Sequence, residues 1–159
     1  MITNGMVSSV APDTSMKTLV ATVAVTAADA GRILLMGEVG GNAAATFTLP
    51  AATGSGNIFK FVVSVINTSN YLIKVADATD TIDGQVVVLN DSTAGGTAST
   101  ISWPTAAASD TITLDGTTTG GAAIGDFVEL IDIAANQYTV NGLLRASGTE
   151  ATPFSATVS

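Results

Sequence analysis

Apolar and polar residues alternate with a period of two along most of the chain. Over residues 58–66 this places Phe59, Phe61, Val63 and Val65 on one face. Ile58, Lys60, Val62, Ser64 and Ile66 fall on the other, so one face is core and the other is only partly polar. The same reading predicts strands over 18–25, 32–36, 46–49, 71–75, 86–89, 110–114, 127–133 and 137–144, all rich in Val, Ile, Thr or aromatics. Asp29-Ala30-Gly31, Asp83-Gly84, Asp115-Gly116 and Asn141-Gly142 read as the turns between them, because Asn, Asp and Gly tolerate positive φ. No stretch sustains a helical period with caps.

Short strands at even spacing predict an all-β fold: one antiparallel β-sandwich or β-barrel domain, jelly-roll-like, spanning 17–145. Phe47, Leu49, Phe59, Phe61, Val63 and Phe127 are the expected core. Residues 1–16 and 146–159 read as extended N- and C-terminal arms, too thin to stabilise themselves and expected to lie on another surface. A weak echo, Ala78-Thr79-Asp80-Thr81-Ile82-Asp83-Gly84 against Ala108-Ser109-Asp110-Thr111-Ile112-Thr113-Leu114-Asp115-Gly116, gives only two copies and does not define a repeat array.

Composition sharpens this picture. The 159 residues are 47% hydrophobic but only 11% charged, against about 25% in an average domain. Thr, Ser, Ala and Gly stand where Lys and Glu normally would, which implies a surface thinly charged or covered by neighbours. All basic residues, Lys17, Arg32, Lys60, Lys74 and Arg145, lie outside 75–144, a stretch with nine acids. Most of those acids sit beside Gly or Thr and are expected at solvated loop tips. The net charge of -8 argues against nucleic acid as a partner. No apolar run approaches the roughly 18 residues of a membrane helix, and no basic start precedes an apolar segment as a secretory signal requires.

Candidate chemistry is sparse. With no His and no Cys, histidine-dependent triads, thiol nucleophiles and the usual zinc sites are excluded. No phosphate-cradling glycine loop occurs, and no cofactor, metal or catalytic residue is expected. Asp77, Asp80 and Asp83 lack the alternate-position oxygens and closing Glu of a calcium loop, and read as turn residues. Glu129 shares its strand face with Phe127, Ile131 and Ile133, so a cationic partner is expected, with Arg145 the candidate. Trp103, Tyr71 and Tyr138 are too scattered to read as a sugar platform.

One combination of segments carries a resemblance. Val25-Thr26-Ala27-Ala28-Asp29-Ala30-Gly31-Arg32 is followed by Ala45-Thr46-Phe47-Thr48-Leu49-Pro50-Ala51-Ala52 and Gly56-Asn57-Ile58-Phe59-Lys60-Phe61-Val62-Val63. Asp80-Thr81-Ile82-Asp83-Gly84 and Gly125-Asp126-Phe127-Val128-Glu129-Leu130 continue the order. Over about residues 20–145 this resembles small virion proteins of tailed bacteriophages, especially capsid decoration (cement) proteins and related fibre modules. Gln137-Tyr138 departs from the pattern, which often has a Trp there. The resemblance implies a non-enzymatic homo-oligomer, often a trimer, on the capsid exterior, where it binds the major capsid protein and stabilises contacts between its subunits. Symmetry would multiply each weak contact. Ile2, Met6, Val7 and Val10 of the N-terminal arm would then touch the shell. The alternative is a tail-fibre or spike module binding a host receptor or glycan. A chain that starts with its own Met and stops at 159 residues is the expectation for a free-standing accessory subunit.

Overall fold

The structure, a computed structural model, describes residues 15–38, 40–90 and 99–158. The expected contact residues Ile2, Met6, Val7 and Val10 lie outside them. In chain order the strands are β1 (Met16–Leu19), β2 (Val23–Ala24), β3 (Ile33–Met36), β4 (Ala45–Thr48), β5 (Ile58–Val63) and β6 (Tyr71–Lys74). They continue with β7 (Thr81–Asn90), β8 (Ser99–Pro104), β9 (Thr111–Leu114), β10 (Phe127–Ala134), β11 (Gln137–Ala146) and β12 (Phe154–Ser155). A seven-stranded sheet has the order β1-β3-β5-β10-β11-β7-β8, and a five-stranded sheet the order β12-β9-β6-β4-β2. The all-β sandwich is therefore present. It is not closed into a barrel, since each sheet ends in edge strands.

The expected antiparallel sheets are corrected to mixed ones. β1, β3 and β5 run parallel to one another, as do β2, β4 and β6, and β11 runs parallel to β7. The cause is connectivity. From β1 to β7 the chain alternates between the two sheets, so each return to a sheet follows an excursion through the other and the strand re-enters in the same direction. Alternating hydrophobicity reports that one face is buried; it carries no information about direction. The predicted strand over 18–25 accordingly splits, with β1 in the large sheet and β2 in the small one.

The inner faces form one core. Phe47, Leu49, Phe59, Phe61 and Val63 are buried as expected, and Phe47 packs against the rings of Phe61 (centroids 6.0 Å) and Tyr71 (5.8 Å). Phe127 is a correction. In β10 it is Val128 and Leu130 that point inward, which turns Phe127 to the outer face, where Lys60 Nζ lies 4.4 Å from its ring centroid.

Two of the four predicted turns also lie elsewhere. Gly84 is inside β7 and Gly142 inside β11. Each marks a close backbone approach: a Cβ on Gly84 would strike the Val140 carbonyl, and one on Gly142 would sit 2.6 Å from the Phe127 carbonyl oxygen.

The C-terminal stretch, expected to reach onto another surface, docks on this chain's own small sheet. Ala146 completes β11, β12 pairs with β9, Phe154 is buried, and the Asp110 carboxylate accepts the N–H groups of Thr157 (2.8 Å) and Val158 (3.1 Å). The pairing gives an apolar side chain a core slot and satisfies an otherwise open edge of β9. Deleting residues 152–159 is expected to cost about 3 kcal/mol, chiefly the burial of Phe154 and the abandoned Asp110 acceptor. Urea unfolding checks this, and an unchanged midpoint would mean that the segment is only loosely attached.

Candidate functional site

Most of the described carboxylates do not stand at solvated loop tips, although Asp77 does, exposed in the turn it forms with Thr79. Asp29, Asp80, Asp110, Asp126 and Asp132 are all buried. Each turns back from a strand end or loop to accept N–H or O–H groups that loop backbone would otherwise leave unpaired. Asp132 is the extreme case. It accepts from Thr53 N (2.9 Å), Gly54 N (2.6 Å), Ser55 N (3.1 Å) and the hydroxyls of Thr53 (3.1 Å) and Ser55 (2.6 Å). Burial pushes its carboxyl up, but these donors, led by the Ser55 hydroxyl, outweigh burial and hold it at about 2. The same loop is held from its other side by Asp80, which accepts Ala52 N at 3.2 Å. For Asp80 burial wins and, with the nearby Asp77 charge, raises its pKa above the usual range.

At the same end of the sandwich, beside β3, Asp29 closes the 3₁₀ turn Ala27–Asp29. Lys17 Nζ donates to both of its oxygens (2.8 and 2.9 Å), and Thr26 donates from its N–H and hydroxyl. Burial works against the charge there, yet Lys17 and Thr26 hold the pKa below its ordinary value. Asp115 likewise organises the loop after β9 by accepting Thr117 N, Thr119 N and the Thr118 hydroxyl, all within 2.9 Å. Both tyrosines belong to the core: the Tyr71 hydroxyl donates to Val65 O and the Tyr138 hydroxyl to Pro50 O. Burial and the Glu38 charge push Tyr71 up to about 12.

The expected Glu129–Arg145 pair does not form. The β10–β11 register sets Asn141 opposite Glu129, at 3.5 Å from its carboxylate, while Arg145 lies four residues farther along β11. Arg145 instead faces Asp126: its backbone N donates at 2.8 Å and Nε lies 3.9 Å from the other oxygen. Burial still dominates at Asp126 and raises its pKa, with the Arg145 and Ala123 N–H groups acting against it. Among the described residues, no group of three or more Asp or Glu could hold a metal ion. Asp77, Asp80 and Asp83 diverge, serving the Thr79 turn, Ala52 and Gln137 respectively.

With the polar groups committed to loops, the outer face of the seven-stranded sheet is the surface left without a partner. Strand register builds one row across it from Leu35, Val62, Phe127, Leu143 and Val87. A neighbouring row runs Met16, Ile33, Lys60, Glu129 and Asn141, and a third contains Ile58 beside Ile131. Met16, Ile33, Ile58 and Leu143 are exposed, and the other apolar members are half-buried. This is a contiguous apolar sheet face on the outside of the molecule. Its sequence signal was the partly apolar second face of residues 58–66. The step from there to a patch needs the register, which brings together residues more than a hundred positions apart.

A second feature is a shallow, open depression of ≈ 320 Å³ lined by Trp103, Pro104, Ala106, Ser109, Thr152 and Phe154. The Trp103 indole Nε1 beside it is buried without a hydrogen-bond partner. No helix among the described residues is long and apolar enough to cross a membrane. No protein-family model matches the chain, and no curated protein matches it either.

Proposed function

We propose that this protein is a non-enzymatic virion structural subunit that seats as an oligomer on the outside of a phage capsid and stabilises contacts between major capsid subunits. The observation that carries the reading is the division of labour among side chains. Buried aspartates are occupied in holding loops, while a broad outer sheet face offers apolar area and little charge. Such a molecule is suited to being covered by other protein, and symmetry on a capsid lattice would add avidity to each modest contact. The chain order of segments resembling decoration proteins points the same way.

The Trp103–Phe154 depression favours the other reading, a receptor- or glycan-binding module of a tail, since an aromatic ring flanked by the hydroxyls of Ser109 and Thr152 suits a sugar. Quantitative mass spectrometry of purified virions separates the two. Copies in lattice proportion to the major capsid protein are expected. A small number, in proportion to tail proteins, would replace the decoration reading with the tail one, and absence from the particle would overturn both.

A further inference from the structure

We propose that the outer face of the seven-stranded sheet is the surface through which two copies of this chain pack face to face about a two-fold axis running along the strands between β5 and β10. The inference does not rest on the virion reading; it rests on the row pattern of that face.

A two-fold axis in the interface, parallel to the strands, keeps each row at its own height and exchanges the two sides of the axis. Lys60 of β5 and Glu129 of β10 are register partners on opposite sides of that line. The operation therefore sets Lys60 of each copy against Glu129 of the other, two symmetry-related ion pairs from one pair of residues. The next rows are matched as well. Val62 meets the second copy's Phe127, Ile58 meets its Ile131, and Leu35 meets its Leu143. The protein's net charge of -8 would oppose association over most of its surface. On this face the balance differs, with Lys60 and Arg145 set against Glu129 and Asp83.

The size is also adequate. Six strands at about 4.8 Å spacing and three rows at about 6.8 Å per two residues give a flat footprint of about 600 Å² a side before side-chain relief, near the roughly 800 Å² of a standard interface. Two sheets stacked in this way at about 10 Å reproduce the packing of a sandwich core, with the present half-exposed apolar residues as its interior.

Light scattering of the full chain after size exclusion tests the arrangement. The expected result is twice the chain mass. Glu129→Lys and Lys60→Glu should each give the single-chain mass, with a dissociation constant raised at least about 100-fold, because each creates two like-charge contacts by symmetry. The double variant Lys60→Glu/Glu129→Lys should return to twice the chain mass. Leu143→Gln, at a position 43% exposed, provides a charge-independent check and should also weaken the pair. Circular dichroism confirms that each variant is folded. A wild-type single-chain mass, or a double variant no better associated than the single ones, overturns the proposal. So does a trimer, which would keep the virion reading intact because copy number in the particle is measured separately.

Discussion

Asp132→Ala is expected to destabilise the protein by about 3 kcal/mol at neutral pH, since it strips the acceptor from donors on three successive residues. Thr53, Gly54 and Ser55 lie on an exposed loop that the backbone alone holds weakly, through the isolated Thr53–Ala135 bridge and the pair Gly56 N to Asp132 O and Asp132 N to Asn57 O. Without the carboxylate the loop retains those backbone contacts but loses its centre. Asp132→Asn keeps the shape and one acceptor oxygen, and turns an amide N–H₂ toward donors, so it should recover less than half of the loss.

The pH dependence distinguishes a charged acceptor from mere packing. The folded carboxyl sits at about 2 against an ordinary 3.8, so its stabilisation is complete above about pH 4 and is lost as pH falls toward 2. The difference corresponds to about 2 kcal/mol. Asp80 and Asp126, raised by burial, work in the opposite sense: their contribution is present below the ordinary carboxyl value and disappears as pH rises through the folded one. Comparing wild type with Asp132→Asn by urea unfolding from pH 6 to pH 2 cancels those two. The gap between them should close by about 2 kcal/mol over the acid end of that range. Parallel profiles would show that the carboxylate charge contributes nothing.

Gly84→Val is expected to be more damaging still, at least about 3 kcal/mol and enough to prevent accumulation of folded protein. Gly84 has φ 139° and lies in register with Val140 of the parallel strand β11. The atoms a Cβ would meet there are the Val140 carbonyl oxygen, with its amide nitrogen 3.1 Å away, and backbone cannot swing aside as a side chain can. Either β11 must separate from β7 or the strand must refold around a residue whose φ is suited to glycine alone. Gly40→Ala is the control, because nothing lies within 4 Å of its would-be Cβ, and it should stay within about 0.5 kcal/mol of wild type. Circular dichroism and thermal melts of both decide the matter; a folded Gly84→Val with an unshifted melting temperature would mean that β7 and β11 are not packed as closely as described.

These two positions also show where sequence reading stops. Around Phe59, Phe61 and Val63 the period-two pattern, the aromatic content and the bounding turns agree, and the buried face follows. At Gly84 and Gly142 the same local rules point to turns, because a glycine after Asp or Asn looks identical whether the chain reverses or another backbone passes close by. Phe127 fails for a related reason. Its size argues for the core, but the strand's phase is fixed by Val128 and Leu130, and register with Val62 and Leu143 carries it outside. Glu129 stands on a largely apolar face, yet its neighbours on that face are Lys60 and Asn141, set by strand pairing rather than by distance along the chain.

What the residues alone determined is the class of structure. Period-two alternation, β-branched and aromatic enrichment and the lack of helical period demand paired strands with one buried side, because that is the only way this pattern removes its apolar surface from water. The absence of His and Cys closes off whole classes of chemistry by composition. Tertiary structure decided the direction of the strands, the side on which the second apolar face lies, and the fate of the acids. In the sequence Asp132 is a strand position between Ile131 and Ile133, with no local partner to read. Only when Thr53, Gly54 and Ser55 arrive, nearly eighty residues earlier in the chain, does Asp132 become a buried acceptor. Hydrogen bonds of that range are not encoded in any local pattern, since their donors are brought together by the packing of the two sheets.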